Sequence, residues 1–217
     1  MPRLALIHTV PALIARFAPL VEAALPGWTR YNIADESLLQ DTIRDGAVSD
    51  ITRRRLAAYV GGAVEAGADA VIVTCSSLGE AVDALRPQVA APLFRIDRGM
   101  AEAAVARGRR IGVLATLATT LEPTSRLIED TARAAGRPCT LLPHLCEGAF
   151  QRLMDGDREG HDAAIRAAFA TLAGTAEVVV LAQASMAQAL AGVETPVPVL
   201  TSPELGIDHI AAQLAAR

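Results

Sequence analysis

The chain has 217 residues, 52 % hydrophobic and 20 % charged, with a formal net charge of −4 and three cysteines. That length can bury a sizeable core, as one domain or as two small lobes. The negative balance argues against a nucleic-acid partner or a polybasic membrane patch, and no apolar run approaches the roughly 18 residues of a membrane span. No basic stretch leads into an apolar signal core at the amino terminus, and Cys75, Cys139 and Cys146 lack paired metal-ligand spacing. A reduced, cytoplasmic protein without a metal site is expected.

Leu4 to His8 reads as a short apolar strand. Thr9-Val10-Pro11 turns it into a helix that runs to about Ala24 and stops at Pro26-Gly27. Thr29 to Ile33 is a second strand, followed by a polar loop around Asp35, Glu36 and Asp41. Ser49 or Asp50 caps a helix whose apolar residues Leu56, Tyr59, Val60 and Val64 recur at helical spacing. Arg53-Arg54-Arg55 occupies its solvated face, and Gly67 closes it.

Val71-Ile72-Val73 is a β-branched run suited to a strand covered on both faces, and it stops at Thr74-Cys75. Ser77 with Glu80 three residues on fits a capping box, so a helix is predicted from near Ser77. Cys75 then lies at the carboxyl end of a strand, where α/β sheets bind ligands. The neighbouring helix amino terminus favours a thiolate over a thiol. After Pro87, Pro92 to Ile96 is a further strand. Strands alternating with helices of this length predict an α/β fold with parallel sheets.

The second half repeats the first. Ile111 to Thr116 is a strand ending in threonine, as Leu4 to Thr9 is, and Gly174 closes a helix as Gly67 does. The step from Thr9 to Thr116 equals the step from Gly67 to Gly174. Val178 to Ser185 answers Val71 to Ser77, with Ser185 and Gln188 as the second capping pair, and Pro198-Val199-Leu200 answers Pro92-Leu93-Phe94. Matches in order at a nearly constant offset indicate an internal duplication. Cys139 to Leu142 supplies the counterpart of the strand at Thr29, and helices are predicted over Glu122 to Ala135, Glu147 to Met154 and Asp157 to Ala173. The final helix, Pro203 to Ala215, has no counterpart at this spacing and is expected to pack on the first lobe.

The predicted architecture is therefore two pseudo-symmetric lobes, residues 1–97 plus 203–217 and residues 98–202, each a small parallel sheet flanked by helices. The active site is expected in the cleft between them, with Cys75 opposite Gln183, its counterpart in the repeat. Thr9, Thr74, Ser76, Ser77, Thr116, Thr119, Thr120 and Ser185 bring hydroxyls to the same strand edges. With the helix amino termini, they suit a small carboxylate-bearing ligand.

This arrangement resembles the aspartate/glutamate racemase superfamily, which includes glutamate, aspartate and hydantoin racemases, arylmalonate decarboxylase and maleate isomerase. Thr74-Cys75-Ser76-Ser77 matches the segment of the first catalytic cysteine, and Ala115-Thr116-Leu117-Ala118-Thr119 matches the Gly/Ala-Thr-x-x-Thr segment. His8-Thr9 falls where glutamate racemases carry Asp-Ser, and Glu147 falls where they carry an assisting glutamate. The resemblance covers essentially the whole chain and implies a cofactor-independent isomerase or racemase, with a homodimer as the common assembly.

One departure is decisive for the chemistry. Gln183 occupies the position of the second catalytic cysteine, and Ser185 replaces the histidine that follows that cysteine by two residues in glutamate racemases. Glutamine has no usable proton at neutral pH, so symmetric two-thiol racemisation is disfavoured. The resemblance then implies Cys75 as base or nucleophile at the carbon next to a carboxylate, with His8 or Glu147 as second proton carrier. Thr9, Thr74, Ser76, Ser77, Thr116, Thr119, Thr120, Ala184 and Ser185 would hold the substrate, and Gln183 would fix it or donate to its oxyanion. The alternatives are a single-cysteine decarboxylase or lyase and a non-catalytic carboxylate-binding protein.

Overall fold

The computed structural model describes every residue from Met1 to Arg217. The chain divides into two compact units, Met1–Asp97 with Gly206–Arg217, and Arg98–Leu205.

The first unit runs β1 (Arg3–His8), a 3-10 turn (Pro11–Leu13), α1 (Ile14–Ala24), β2 (Thr29–Ala34), α2 (Ser37–Asp45) and α3 (Asp50–Glu65). It continues through β3 (Ala70–Val73), a second 3-10 turn (Ser76–Leu78), α4 (Gly79–Leu85) and β4 (Leu93–Arg95). The four strands form one parallel sheet in the order β2-β1-β3-β4. The central strands β1 and β3 are buried almost throughout, whereas edge strand β2 is half exposed, which is why its sequence is mixed rather than apolar.

The second unit begins with α5 (Arg98–Arg107) and runs through β5 (Arg110–Ala115), α6 (Ala118–Ala134), β6 (Thr140–Leu145), α7 (Ala149–Met154) and α8 (Arg158–Ala173). β7 (Val178–Leu181), a 3-10 stretch (Ala184–Leu190), β8 (Val199–Thr201) and α9 (Ser202–Ala215) follow. Its parallel sheet has the order β6-β5-β7-β8, the same topology as the first. The duplication is thus present strand for strand.

Several sequence expectations need correction. The polar loop at Asp35 to Asp41 is largely helix α2: Asp35 accepts from the Ser37 N–H at 3.0 Å and from its hydroxyl at 2.6 Å. Arg55 is not part of a purely solvated face, because it reaches Asp35 at 2.5 Å, Ser37 at 2.7 Å and Asp41 at 3.3 Å. β6 extends to Leu145 through Pro143, which an edge strand tolerates because its missing N–H need not enter the ladder. α6 starts at Ala118 and carries Pro123 within it, and α7 starts at Ala149 after Gly148 in the left-handed region, two residues past Glu147.

The last correction concerns the duplication. α5 lies outside the predicted elements, yet it is the counterpart of α9, which therefore does not stand alone. Gly99 and Gly206 are separated by the same step as Thr9 and Thr116. The two helices trade places. α5 follows β4 of the first unit but buries Met100, Ala101, Ala104 and Val105 with Ile111, Val113, Val178 and Val180 of the second. α9 follows β8 of the second unit but buries Ile207 and Ile210 with Leu4, Leu6, Phe17 and Ile72 of the first.

Candidate active site

In the first unit the parallel register sets Ile7 level with Val73, so the chain leaving β1 and the chain leaving β3 emerge side by side. His8 and Thr9 come from one, Thr74 and Cys75 from the other. The Thr74 N–H donates to the Ile7 carbonyl at 3.0 Å, carrying the ladder one residue past β3.

Cys75 is 9 % exposed. Its carbonyl accepts from the Leu78 N–H at 3.1 Å, closing the 3-10 turn. Ser77 lies inside this 3-10 turn, and the α-helix that follows starts at Gly79, two residues later than predicted. The Thr9 and Ser77 hydroxyls and the N–H groups of Ser77 and Leu78, the last shared with the Cys75 carbonyl, face the sulfur and favour its charged form. Burial nevertheless pushes the thiol above its ordinary value, and the four donors recover only part of that rise. The expected helix-terminus preference for thiolate is outweighed because α4 has only seven residues and the sulfur is stripped of water.

His8 is fully buried, with Nε2 3.0 Å from Asn32 Oδ1 and Nδ1 3.0 Å from Thr74 Oγ1. Burial holds its pKa below 6.5, against the opposing bond to Asn32. A neutral ring that donates from Nε2 to Asn32 and accepts at Nδ1 from Thr74 satisfies both contacts. Thr74 Oγ1 also lies 3.2 Å from the Ile7 carbonyl. The hydroxyl of Thr74 is therefore engaged within the unit. Ser76 and Ser77 are buried.

The second unit repeats this plan with different chemistry. The Met186 N–H donates to the Gln183 carbonyl at 3.1 Å, as Leu78 does to Cys75. The Thr116 N–H donates to Gln183 Oε1 at 2.6 Å and the Thr116 hydroxyl donates to the same oxygen at 3.0 Å. Threonine after the first strand thus bonds the residue after the third strand in both units. Ala184 and Ser185 lie in a 3-10 stretch, so no α-helix begins at the predicted Ser185–Gln188 pair.

Thr119 and Thr120 occupy the first turn of α6, whose flanking Leu117 provides no side-chain cap. Thr119 Oγ1 is buried without a hydrogen-bond partner, an uncommon condition for a hydroxyl. Glu147 is exposed on the link between β6 and α7. No cluster of three or more His, Cys, Asp or Glu side chains gathers as a metal site, and no helix is long and apolar enough to cross a membrane.

Four residues at these strand ends escaped sequence reasoning. Asn32 orients His8. Arg95, 3 % exposed, donates to Asp97 from Nε at 2.6 Å and from Nη2 at 2.9 Å, and to Asp83 from Nη1 at 2.6 Å. Burial opposes its charge, but the two carboxylates outweigh that and hold its pKa above the usual arginine value. A lone arginine between Phe94 and Ile96 in a strand was the available signal.

The profile of the Asp/Glu/Hydantoin racemase family matches residues 8–210. No curated protein sequence matches the chain. Among solved structures, glutamate racemase from Francisella tularensis in complex with D-glutamate superposes with a TM-score of 0.75 at 13 % identity, over 99 % of this chain and 81 % of that one. A glutamate racemase isoform from Bacillus anthracis gives 0.74 at 15 %, over 99 % and 82 %. Allantoin racemase from Klebsiella pneumoniae gives 0.70 at 17 %, over 100 % and 88 %.

Proposed function

The chain belongs to the Asp/Glu/Hydantoin racemase family, and from that premise we propose a cofactor-independent enzyme that moves a proton at the carbon next to a carboxylate, with Cys75 as the proton carrier. The observation that carries this reading is the convergence of four donors on one sulfur: two hydroxyls and two N–H groups. Such a nest serves a sulfur that must bear negative charge during turnover, since a neutral thiol accepts hydrogen bonds only weakly.

The roles follow from the contacts. Cys75 as thiolate takes the α-proton and becomes the thiol. The carbanion left behind is the enolate of the substrate carboxylate; Ser76 is the candidate to hold it in the first unit, and Thr119, Thr120, Ala184 and Ser185 are the candidates in the second, whereas the donors of Thr116 are committed to Gln183. The partnerless Thr119 hydroxyl at the start of a 17-residue helix is suited to an anionic oxygen. Gln183 spends its amide oxygen on Thr116, which leaves its NH₂ as donor and gives it no acid–base role. His8, with both ring nitrogens committed, positions Thr74 rather than carrying a proton. Glu147 is the remaining acid–base residue for the return step.

Incubating the protein in deuterium oxide with amino acids, hydantoins and substituted malonates tests the reading. Solvent deuterium is expected at the α-carbon of the accepted class and lost in Cys75→Ala. Unchanged exchange in Cys75→Ala overturns it.

A further inference from the structure

We propose that Arg95 is a positioning residue for Cys75, acting through Asp83 and Gly79 to hold the turn whose N–H groups face the sulfur. The proposal rests on the role given to Cys75 above, but its test does not need turnover.

The guanidinium is a clamp between two elements. It forks Asp97 bidentately just past β4, and its third contact is Asp83 in the middle of α4, the helix that continues directly from the Cys75 turn. Asp83 is shared with Arg86 at 2.7 Å. Between these anchors the guanidinium lies against the first residue of α4: a Cβ at Gly79 would stand 2.1 Å from Arg95 Nη2 and 2.3 Å from Cζ. Gly79 is therefore required by the passage of the arginine, and the arginine fixes the level at which α4 begins. Leu78, the residue before Gly79, gives its N–H to the Cys75 carbonyl at 3.1 Å and so closes the turn that carries the sulfur.

The second unit is a built-in comparison. Val73 pairs with Arg95 and Leu181 with Thr201, so threonine replaces the arginine there. Ala187 stands to Gln183 as Gly79 does to Cys75, and it is a partly buried residue packed on an apolar cluster. Arginine goes with glycine, and threonine with alanine. Only the unit with the cysteine carries the clamp, and only there does an α-helix follow the turn; in the other, the stretch Ala184–Leu190 stays 3-10. A role in general fold stability would apply equally to both copies of the fold.

The charged groups around this turn are Glu80 and Asp83 on α4, Arg86 just past it, and Arg95 and Asp97 at the end of β4; the titratable His8 lies at the end of β1, bonded to Thr74. The test is the pH profile of iodoacetamide alkylation at Cys75 in the full chain, read by peptide mass spectrometry with Cys139 as internal reference. Asp83→Asn, at a partly exposed site, and Gly79→Ala, which displaces the guanidinium, avoid the folding risk of removing Arg95 itself. Both are expected to move the Cys75 midpoint upward by about half a pH unit or more, roughly threefold less thiolate at neutral pH, while Cys139 is unmoved. Asp83→Glu, which keeps the carboxylate, is expected to leave the midpoint close to that of the parent protein. A Cys75 profile unchanged in both variants, or a change shared equally by Cys139, overturns the proposal. Absence of deuterium exchange in the parent protein, with the expected midpoint shift in both variants, counts against the role of Cys75 and leaves the clamp standing.

Discussion

Thr116 gives both its N–H and its hydroxyl to one oxygen of Gln183, at 2.6 and 3.0 Å, in the place where Thr9 gives its hydroxyl to the sulfur of Cys75. The duplicated frame has thus kept a threonine-to-acceptor bond while the acceptor changed from a titratable sulfur to a neutral amide. Gln183 is the counterpart of Cys75 in the repeat, and its contribution to stability can be separated from any contribution to chemistry.

Gln183→Ala leaves the buried Thr116 N–H without an acceptor, which costs about 1–3 kcal/mol. Urea unfolding is expected to show that loss, and Gln183→Glu, which keeps an acceptor oxygen, is expected to recover most of it at neutral pH. Equal stability of all three proteins would mean that the Thr116 bonds are replaced without cost.

Gln183→Cys places a thiol where the Thr116 hydroxyl can donate to it, as Thr9 does to Cys75. Chiral chromatography on a substrate that the parent protein only exchanges is expected to reveal racemisation in the variant. Continued exchange without inversion would show that a second thiol is insufficient.

Cys75 sits above the ordinary thiol pKa of 9.0 because it is buried. At neutral pH it is therefore predominantly thiol, and thiolate-dependent reaction rises with pH up to and beyond 9. Alkylation of Cys75 at constant ionic strength is expected to keep climbing across that range. A plateau below pH 8 would contradict the direction of the shift.

His8 works with the opposite sign. Its folded-state pKa is lowered, so its neutral form contributes stability that is fully present above 6.5 and is lost as pH falls below that value through the folded pKa. The difference in unfolding free energy between the parent and His8→Gln is expected to shrink on going from pH 7.5 to pH 5. A constant difference would mean that the ring is not held neutral.

Gly206 meets the backbone of Ile96 so closely that a Cβ would lie 1.9 Å from the Ile96 carbonyl oxygen. Gly206→Ala must push α9 off the strand end it packs on, a cost of about 1–3 kcal/mol or more. Thermal melting is expected to fall accordingly, whereas the exposed Gly61→Ala, with nothing near its Cβ, is expected to be neutral or stabilising.

The parts of this fold that periodicity governs were legible. β1, β3, β5 and β7 are continuous apolar runs because both faces are covered, and the offset between Thr9 and Thr116 exposed the duplication. What failed was local. α2 hid because its start rests on the Asp35 side chain, and α5 hid because its buried stripe of Gly99, Met100, Ala101, Ala104 and Val105 is made mostly of small residues. Cys75 was found from its place at a strand end, but the sign of its titration was not. Burial is a tertiary property, and the four donors come from residues as distant in sequence as Thr9. Arg95 shows the same limit, since its meaning depends on Asp83 and Gly79 in another element.

The traded helices α5 and α9 are a domain swap frozen within a single polypeptide. An isolated copy of the repeat, such as residues 1–107 with α5 at its end, would lack α9 and expose the apolar stripe that Ile207 and Ile210 cover. Two such fragments could close their cores by lending each other the terminal helix, at a rate limited by encounter. Linking the copies turns that encounter into an intramolecular step and fixes their stoichiometry. It also lets the two copies carry different residues at one position, Cys75 in the first and Gln183 in the second, a divergence that two identical chains cannot undergo.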